Sequence, residues 1–250
     1  MKHKSQISFK FGYESWSQIP IKDAGYAEDR ILQKVVAANT RMLSEEKGWE
    51  RDGVFFNEAI PNFPLFAALS LASTNLSAVI TILDFGGGLG TTYFQSRKFL
   101  GGLGLRPNWQ IVEQPHYVKA AEELHGLNQE LRFFDHLDSL KIIAPDLIVL
   151  SGVVCYLPEP QQLFRKVVHN FGGTKYIFID RTPLQTSGNP QFGCQTVKGG
   201  IYEANLKLQT IPIDQILDGL NQEFSVAYMW ESEFKMKQGV HYGGILLQRD

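Results

Sequence analysis

The residues best suited to chemistry lie in one short segment, Asp84-Phe85-Gly86-Gly87-Gly88-Leu89-Gly90, directly behind the β-branched run Val79-Ile80-Thr81-Ile82-Leu83. A strand that ends in glycines and runs into a helix, here 91–100, brings backbone N–H groups and a helix N-terminus close to a nucleotide. Glycine is needed wherever a side chain would block that approach. Counted from Gly86, the G-x-G-x-x-G spacing of dinucleotide folds puts Thr91 where the third glycine belongs, so the segment fits D-x-G-x-G-x-G instead. Two further acids close the strands that follow: Glu113 after 109–112 and Asp135 after 131–134.

That acid pattern suits a nucleoside without phosphates. A pyrophosphate is held by anion-binding amides, whereas S-adenosylmethionine presents an ammonium, a carboxylate and a sulfonium. Asp84 is expected to face the cationic amino-acid part. Glu113, with Gln114 beside it, is expected to accept hydrogen bonds from the ribose hydroxyls. Asp135 is placed to reach the adenine amino group, with His136 and Asp138 as substitutes. Gly86, Gly87, Gly88, Gly90 and Ser151 complete the expected cofactor set. Each has a plainer reading, Asp84 as a cap, Glu113 as a surface acid and Asp135 as a turn former.

These residues need a sheet to hold them. Strands are expected at 79–83, 109–112, 131–134, 147–150 and 176–179, and helices at 64–72, 91–100, 117–124 and 161–168. This alternation predicts an α/β, doubly wound, mostly parallel Rossmann-like sheet with right-handed crossovers, and ligands then sit at the carboxyl ends of its strands. A helix at 27–47 marks residues 1–57 as an N-terminal helical cap before a catalytic domain at 58–250. The stretch 183–200, with Gly188, Asn189, Pro190, Gly199 and Gly200, reads as a long loop or lid. A helix at 213–220 precedes strands at 224–230 and 242–248, which are too close for a crossover helix and so antiparallel.

Composition narrows the partners. The 250 residues carry 24 Lys and Arg against 26 Asp and Glu, intermixed along the chain, so no electrostatic footprint for nucleic acid is visible. Cys155 and Cys194 form no CxxC pair and have no neighbouring histidine cluster, which argues against a disulfide framework or a zinc site. The longest apolar stretches, 63–72 and 147–154, fall short of the roughly 20 residues that span a bilayer. The residues from Met1 to Gln6 lead into no continuous apolar run, and the expectation is a cytoplasmic protein with a small-molecule or glycan acceptor. Its oligomeric state stays open.

Four stretches are similar to a bacterial family of class I methyltransferases often found with O-antigen and surface-polysaccharide genes: Leu83-Asp84-Phe85-Gly86-Gly87, Tyr93-Phe94-Gln95-Ser96-Arg97-Lys98-Phe99, Val112-Glu113-Gln114-Pro115-His116 and Ile179-Asp180-Arg181-Thr182-Pro183. Gly12-Tyr13-Glu14-Ser15-Trp16 and Glu50-Arg51-Asp52-Gly53 resemble that family's leader, so the resemblance spans most of the chain. It implies O- or N-methylation with S-adenosylmethionine as donor, and it points to sugars or surface-glycan precursors as acceptors. Methyl transfer is an in-line displacement that needs positioning first and a general base only for some acceptors. Tyr156, Asp180, Arg181 and His241, near strand ends, are the catalytic candidates, and Tyr93, Gln95 and Arg97 on the helix after the glycines are the acceptor-binding ones. Two alternatives compete: a catalytically silent relative that binds or scaffolds, and a nicotinamide-dependent oxidoreductase or epimerase. The missing third glycine and the absence of a Tyr-x-x-x-Lys pair count against the latter.

Overall fold

The computed structural model describes residues 6–21, 25–45, 48–58, 60–126, 128–140, 144–199, 202–232, 236 and 239–250. In chain order its elements are β1 (Gln6–Tyr13), α1 (Asp29–Ser44), β2 (Trp49–Arg51), β3 (Val54–Phe56), α2 (Phe63–Ala72), β4 (Val79–Phe85), α3 (Thr91–Gly102), β5 (Arg106–Val112), α4 (Pro115–His125), β6 (Leu131–Phe134), β7 (Leu147–Ser151), α5 (Pro160–Asn170), β8 (Tyr176–Gln185), β9 (Phe192–Lys198), β10 (Ala204–Gln209), β11 (Ile211–Pro212), α6 (Ile213–Gly219), β12 (Phe224–Glu231) and β13 (His241–Arg249).

The main sheet has the order β12-β13-β8-β7-β4-β5-β6, with the short β11 beside β8. Strands β8, β7, β4, β5 and β6 are parallel, and β13 runs antiparallel to both β8 and β12. A strand covered on both faces reads as a continuous apolar run, and Leu147, Ile148, Val149 and Leu150 of β7 are all buried. Alternate side chains feed two cores. Leu83, Ile148, Leu150 and Ile179 pack with Phe164 and Val167 of α5 and Ile216 of α6, whereas Ile80, Ile82, Trp109 and Val149 pack with Leu65 and Leu69 of α2 and Leu100 of α3. Proline opens α4 and α5 at a position where its missing N–H costs nothing. The chain leaves β4 toward β5 and β6, then returns to β7 on the other side of β4. The carboxyl ends of β4 and β7 therefore flank a topological switch point, where a crevice opens.

Two expectations change. The N-terminal extension is only partly helical: α1 is there, but Gln6–Tyr13 is a strand in which Phe9, Phe11 and Tyr13 alternate with more exposed residues, and it pairs antiparallel with β9. Of the expected loop 183–200, Gly200 lies outside the described residues, and most of 183–199 is strand. β8 continues to Gln185, and Phe192–Lys198 forms the middle of a second sheet, β1-β9-β10. In β9 the buried face carries Gly193, Gln195 and Val197, so two of its three inward residues are not apolar and the alternation is masked.

Candidate active site

The site begins where β4 stops. Gly86 N–H donates to the carbonyl of Val112 at 2.9 Å and Gly90 N–H to that of Gly87 at 3.1 Å, which folds the loop back before α3 begins. A Cβ on Gly87 would lie 2.7 Å from the Asp84 carboxyl group, too close for any side chain. Gly88 has φ +57°, a conformation glycine adopts without cost, and a Cβ there would meet nothing within 4 Å. Its α-carbon faces open space. That space is a cavity of about 1030 Å³ over the carboxyl ends of β4, β5, β6, β7 and β8.

Glu113, one residue past β5, projects into the same space. Its Oε2 accepts from Gly88 N–H at 3.3 Å and its Oε1 from Gln114 N–H at 2.9 Å. Burial pushes its carboxyl group up, and those two amides pull it back. Each oxygen keeps a lone pair for a further donor, the arrangement a vicinal diol requires. Asp135, past β6, sits at the exposed rim, where Ser139 Oγ donates to it at 3.5 Å and His136 Nε2 lies 3.9 Å away. Ser151, the last residue of β7, and Gly152 after it line the cavity, and Gly152 N–H is tied to the carbonyl of Asp180 at 2.9 Å.

Around Gly152 the same cavity is also walled by aromatic hydroxyls and arginines, which make that part a chamber. Tyr26 and Tyr202 join through their hydroxyls at 3.1 Å, the rings of Tyr26 and Tyr156 meet edge-on at 5.3 Å, and Tyr156 donates to Gln195 Oε1. Arg181 Nη2 binds Asp52 Oδ2 at 2.6 Å, and the guanidinium of Arg51 lies over the Trp49 ring at 5.2 Å. Glu50, almost fully buried, accepts from Gly53 N–H at 2.8 Å and from Thr91 Oγ1 at the start of α3. Burial raises its carboxyl group against those bonds. Burial also lifts the phenols: Tyr242 to about 12, and Tyr26, Tyr156 and Tyr202 further still. Raised in this way, these phenols keep their protons at neutral pH.

No family model matches the chain, and no curated protein sequence does. Solved structures do. The [4+2]-cyclase SpnF aligns over 92% of this chain and 98% of its own, with 12% identity and a TM-score of 0.53. Human N-acetylserotonin methyltransferase in complex with SAM aligns over 90% of this chain and 57% of its own, with 15% identity and a TM-score of 0.51. LepI in complex with SAM aligns over 73% of this chain and 46% of its own, with 13% identity and a TM-score of 0.50. The chain thus spans about half the length of the last two. With five parallel strands and an antiparallel β13 set between β8 and β12, the sheet and these likenesses agree. The fold is that of the class I methyltransferases.

Within this methyltransferase fold the cavity gathers Gly86, Gly87, Gly88, Glu113, Gln114, Asp135 and Ser151 of the expected cofactor set, together with Gln95, Tyr156 and Arg181. Six expected residues lie elsewhere. Asp84 is one residue short of the strand end, so its side chain points into the core, where it accepts from Trp109 Nε1 at 3.1 Å, and burial raises its carboxyl group to about 7. Gly90 caps the start of α3, and a Cβ there would crowd Leu131 at 3.1 Å. Tyr93 is on the buried face of α3 and donates to Glu130 at 3.0 Å, and Arg97 lies over the Phe94 ring at 5.2 Å. Asp180 faces away from its neighbour Arg181, accepting from Asn62 Nδ2 at 3.2 Å and Trp230 Nε1 at 3.0 Å. His241 pairs with Glu231 at 2.5 Å on an exposed surface.

The chamber also holds residues that sequence reasoning did not assign: Tyr26, Glu50, Arg51, Asp52, Tyr202 and Tyr242. Three of them ride on the β2–β3 hairpin. Its two-residue turn is Asp52-Gly53, both at positive φ (51° and 73°), closing the pair Arg51↔Val54. Asp-Gly between two short runs that carry Trp49 and Val54-Phe55-Phe56 is a hairpin signal, and it was there to be read.

Proposed function

We propose that this protein is an S-adenosylmethionine-dependent methyltransferase acting on an oxygen or nitrogen of a small molecule, a sugar or a surface-glycan precursor in the cytoplasm, with residues 1–57 as a cap over the acceptor. The observation that carries this reading is the Glu113 carboxylate, held by the Gly88 and Gln114 amides at a glycine loop in which the α-carbon of Gly88 faces open space. Gly86, Gly87 and Gly88 would admit the nucleoside and methionine part, Glu113 would hold the ribose, and Asp135 would reach the base from the rim. The cofactor, when bound, supplies an electrophilic methyl group on a sulfonium. Tyr156 and Arg181, beside Gly152, would orient the acceptor by hydrogen bonding, and the tyrosine-lined walls would exclude water.

Thr91 in place of a third glycine still counts against a nicotinamide cofactor. A specific observation favours a second reading, a relative that binds without methylating: the chamber phenols are all held protonated, and the Asp52 carboxylate is engaged by Arg181. The test is calorimetric titration with S-adenosylmethionine, S-adenosylhomocysteine, NAD and NADP, followed by an acceptor screen. Binding of the two sulfur nucleosides and not of the nicotinamides supports the cofactor, and methyl transfer to any acceptor removes the silent reading. Preference for a nicotinamide would end the proposal.

A further inference from the structure

The chamber contains two guanidinium groups, Arg51 and Arg181, and a carboxylate, Asp52, in contact with the second. Asp52 is committed to Arg181 at 2.6 Å. Asp180 lies within electrostatic reach of Arg51, but its two oxygens already accept from Asn62 and Trp230. Glu50 accepts from Gly53 N–H and Thr91 Oγ1. Arg51 is left against the Trp49 ring, with no ion pair among the described residues. Arg51 is half-buried, and a cation partly withdrawn from water gains from an anion of its own. Burial and the neighbouring Arg181 push the Arg51 guanidinium down to about 10, and the Asp52 and Asp180 carboxylates pull it partly back. The other polar groups here, the hydroxyls of Tyr26, Tyr202 and Tyr242, stay protonated as donors or are paired with one another. Planar guanidinium forks match carboxylate and phosphate oxygens in shape as well as charge.

We infer that the chamber recognises a small molecule through an anionic oxygen group, a carboxylate or a phosphate monoester, bound by Arg51 beside the Arg181–Asp52 pair. This rests on the methyltransferase reading only in calling that molecule the acceptor; the anion site stands on the arginines themselves. A nucleotide-linked sugar or a sugar acid would carry such a group, and a neutral sugar would leave Arg51 unanswered.

The test follows the side-chain Nε–H resonances of arginines in uniformly ¹⁵N-labelled protein, with the Arg51 signal identified by its absence in Arg51→Gln. Benzoate, phenyl phosphate and neutral benzamide are titrated in separate samples, a method that registers even millimolar binding. The Arg51 resonance is expected to shift saturably with one or both anions, at least about tenfold more tightly than with benzamide. The tighter of the two anions identifies the source as carboxylate or phosphate. No saturable shift, or equal response to benzamide, overturns the inference. Binding of S-adenosylhomocysteine, measured on both proteins, separates the two ideas: if it fails while the anions still shift Arg51, the cofactor reading falls and the anion site stands.

Discussion

The two ends of the cavity are built in opposite ways. At the glycine-loop end, β4, the loop, α3 and the close of β5 follow one another within some thirty residues, and nearly every group that faces the space belongs to a strand end or the turn after it. At the arginine end, Asp52 meets Arg181, Tyr26 meets Tyr202 and Tyr156 meets Gln195, contacts between segments far apart in the chain. The first end is a property of local geometry at a parallel sheet. The second exists only when distant pieces have docked, so its chemistry can vary while the first stays the same.

The largest effect expected at the glycine-loop end concerns Asp84, which supports the loop from below. Its folded carboxyl group titrates at about 7, above its ordinary 3.8, so its contribution is fully present below about pH 4 and is lost as pH rises toward 7. Chemical denaturation from pH 4 to 8 should show wild-type stability falling relative to Asp84→Asn by on the order of 4 kcal/mol. Parallel curves for the two proteins would show that Asp84 is not a buried, protonated support. Glu113→Ala comes next. Calorimetry should find binding of S-adenosylhomocysteine weakened about 100-fold, the scale of losing charge-assisted hydrogen bonds, with the fold intact by circular dichroism. Unchanged affinity would remove the residue on which the cofactor reading rests.

At the arginine end the effects on stability are smaller. A double-mutant cycle on Asp52→Asn and Arg181→Gln should return a coupling of about 1 kcal/mol, since the pair is partly exposed. Cofactor affinity should not change in either single variant. A large change there would mean that the two ends are not separable. The smallest effect is expected outside both. His241 and Glu231 form an exposed pair, so His241→Ala should alter stability by less than about 0.5 kcal/mol and leave turnover as it was. Lost turnover would bring His241 back as a catalytic group.

Legibility followed the same division. The strand before the glycines, the glycine loop and Glu113 could be read because each is announced by neighbours in sequence: a β-branched run, a glycine cluster, an acid after the next strand. Asp84 was misplaced by one step of strand alternation, and Asp180 for the same reason, since Arg181 at φ +54° takes the place facing the cavity. On α3, Tyr93 and Gln95 are two positions apart and so lie on different faces; Tyr93 went to the core and Gln95 to the cavity, where it donates to the Ile60 carbonyl. The β9 strand was hidden by the turn residues Gly188, Asn189 and Pro190 before it and by a buried glutamine within it. No local signal links Asp52 to Arg181, or Tyr26 to Tyr202.

The pairing of β1 with β9 also sets an order in time. The first strand of the chain finds its partner only after Phe192–Lys198 exists, so during synthesis Gln6–Tyr13 waits while the parallel sheet from β4 to β8 can already assemble behind it. Non-local pairing of this kind is slow because a long loop must close before any contact rewards it. The glycine loop can therefore be complete on a growing chain, whereas the arginine chamber is among the last parts to be finished.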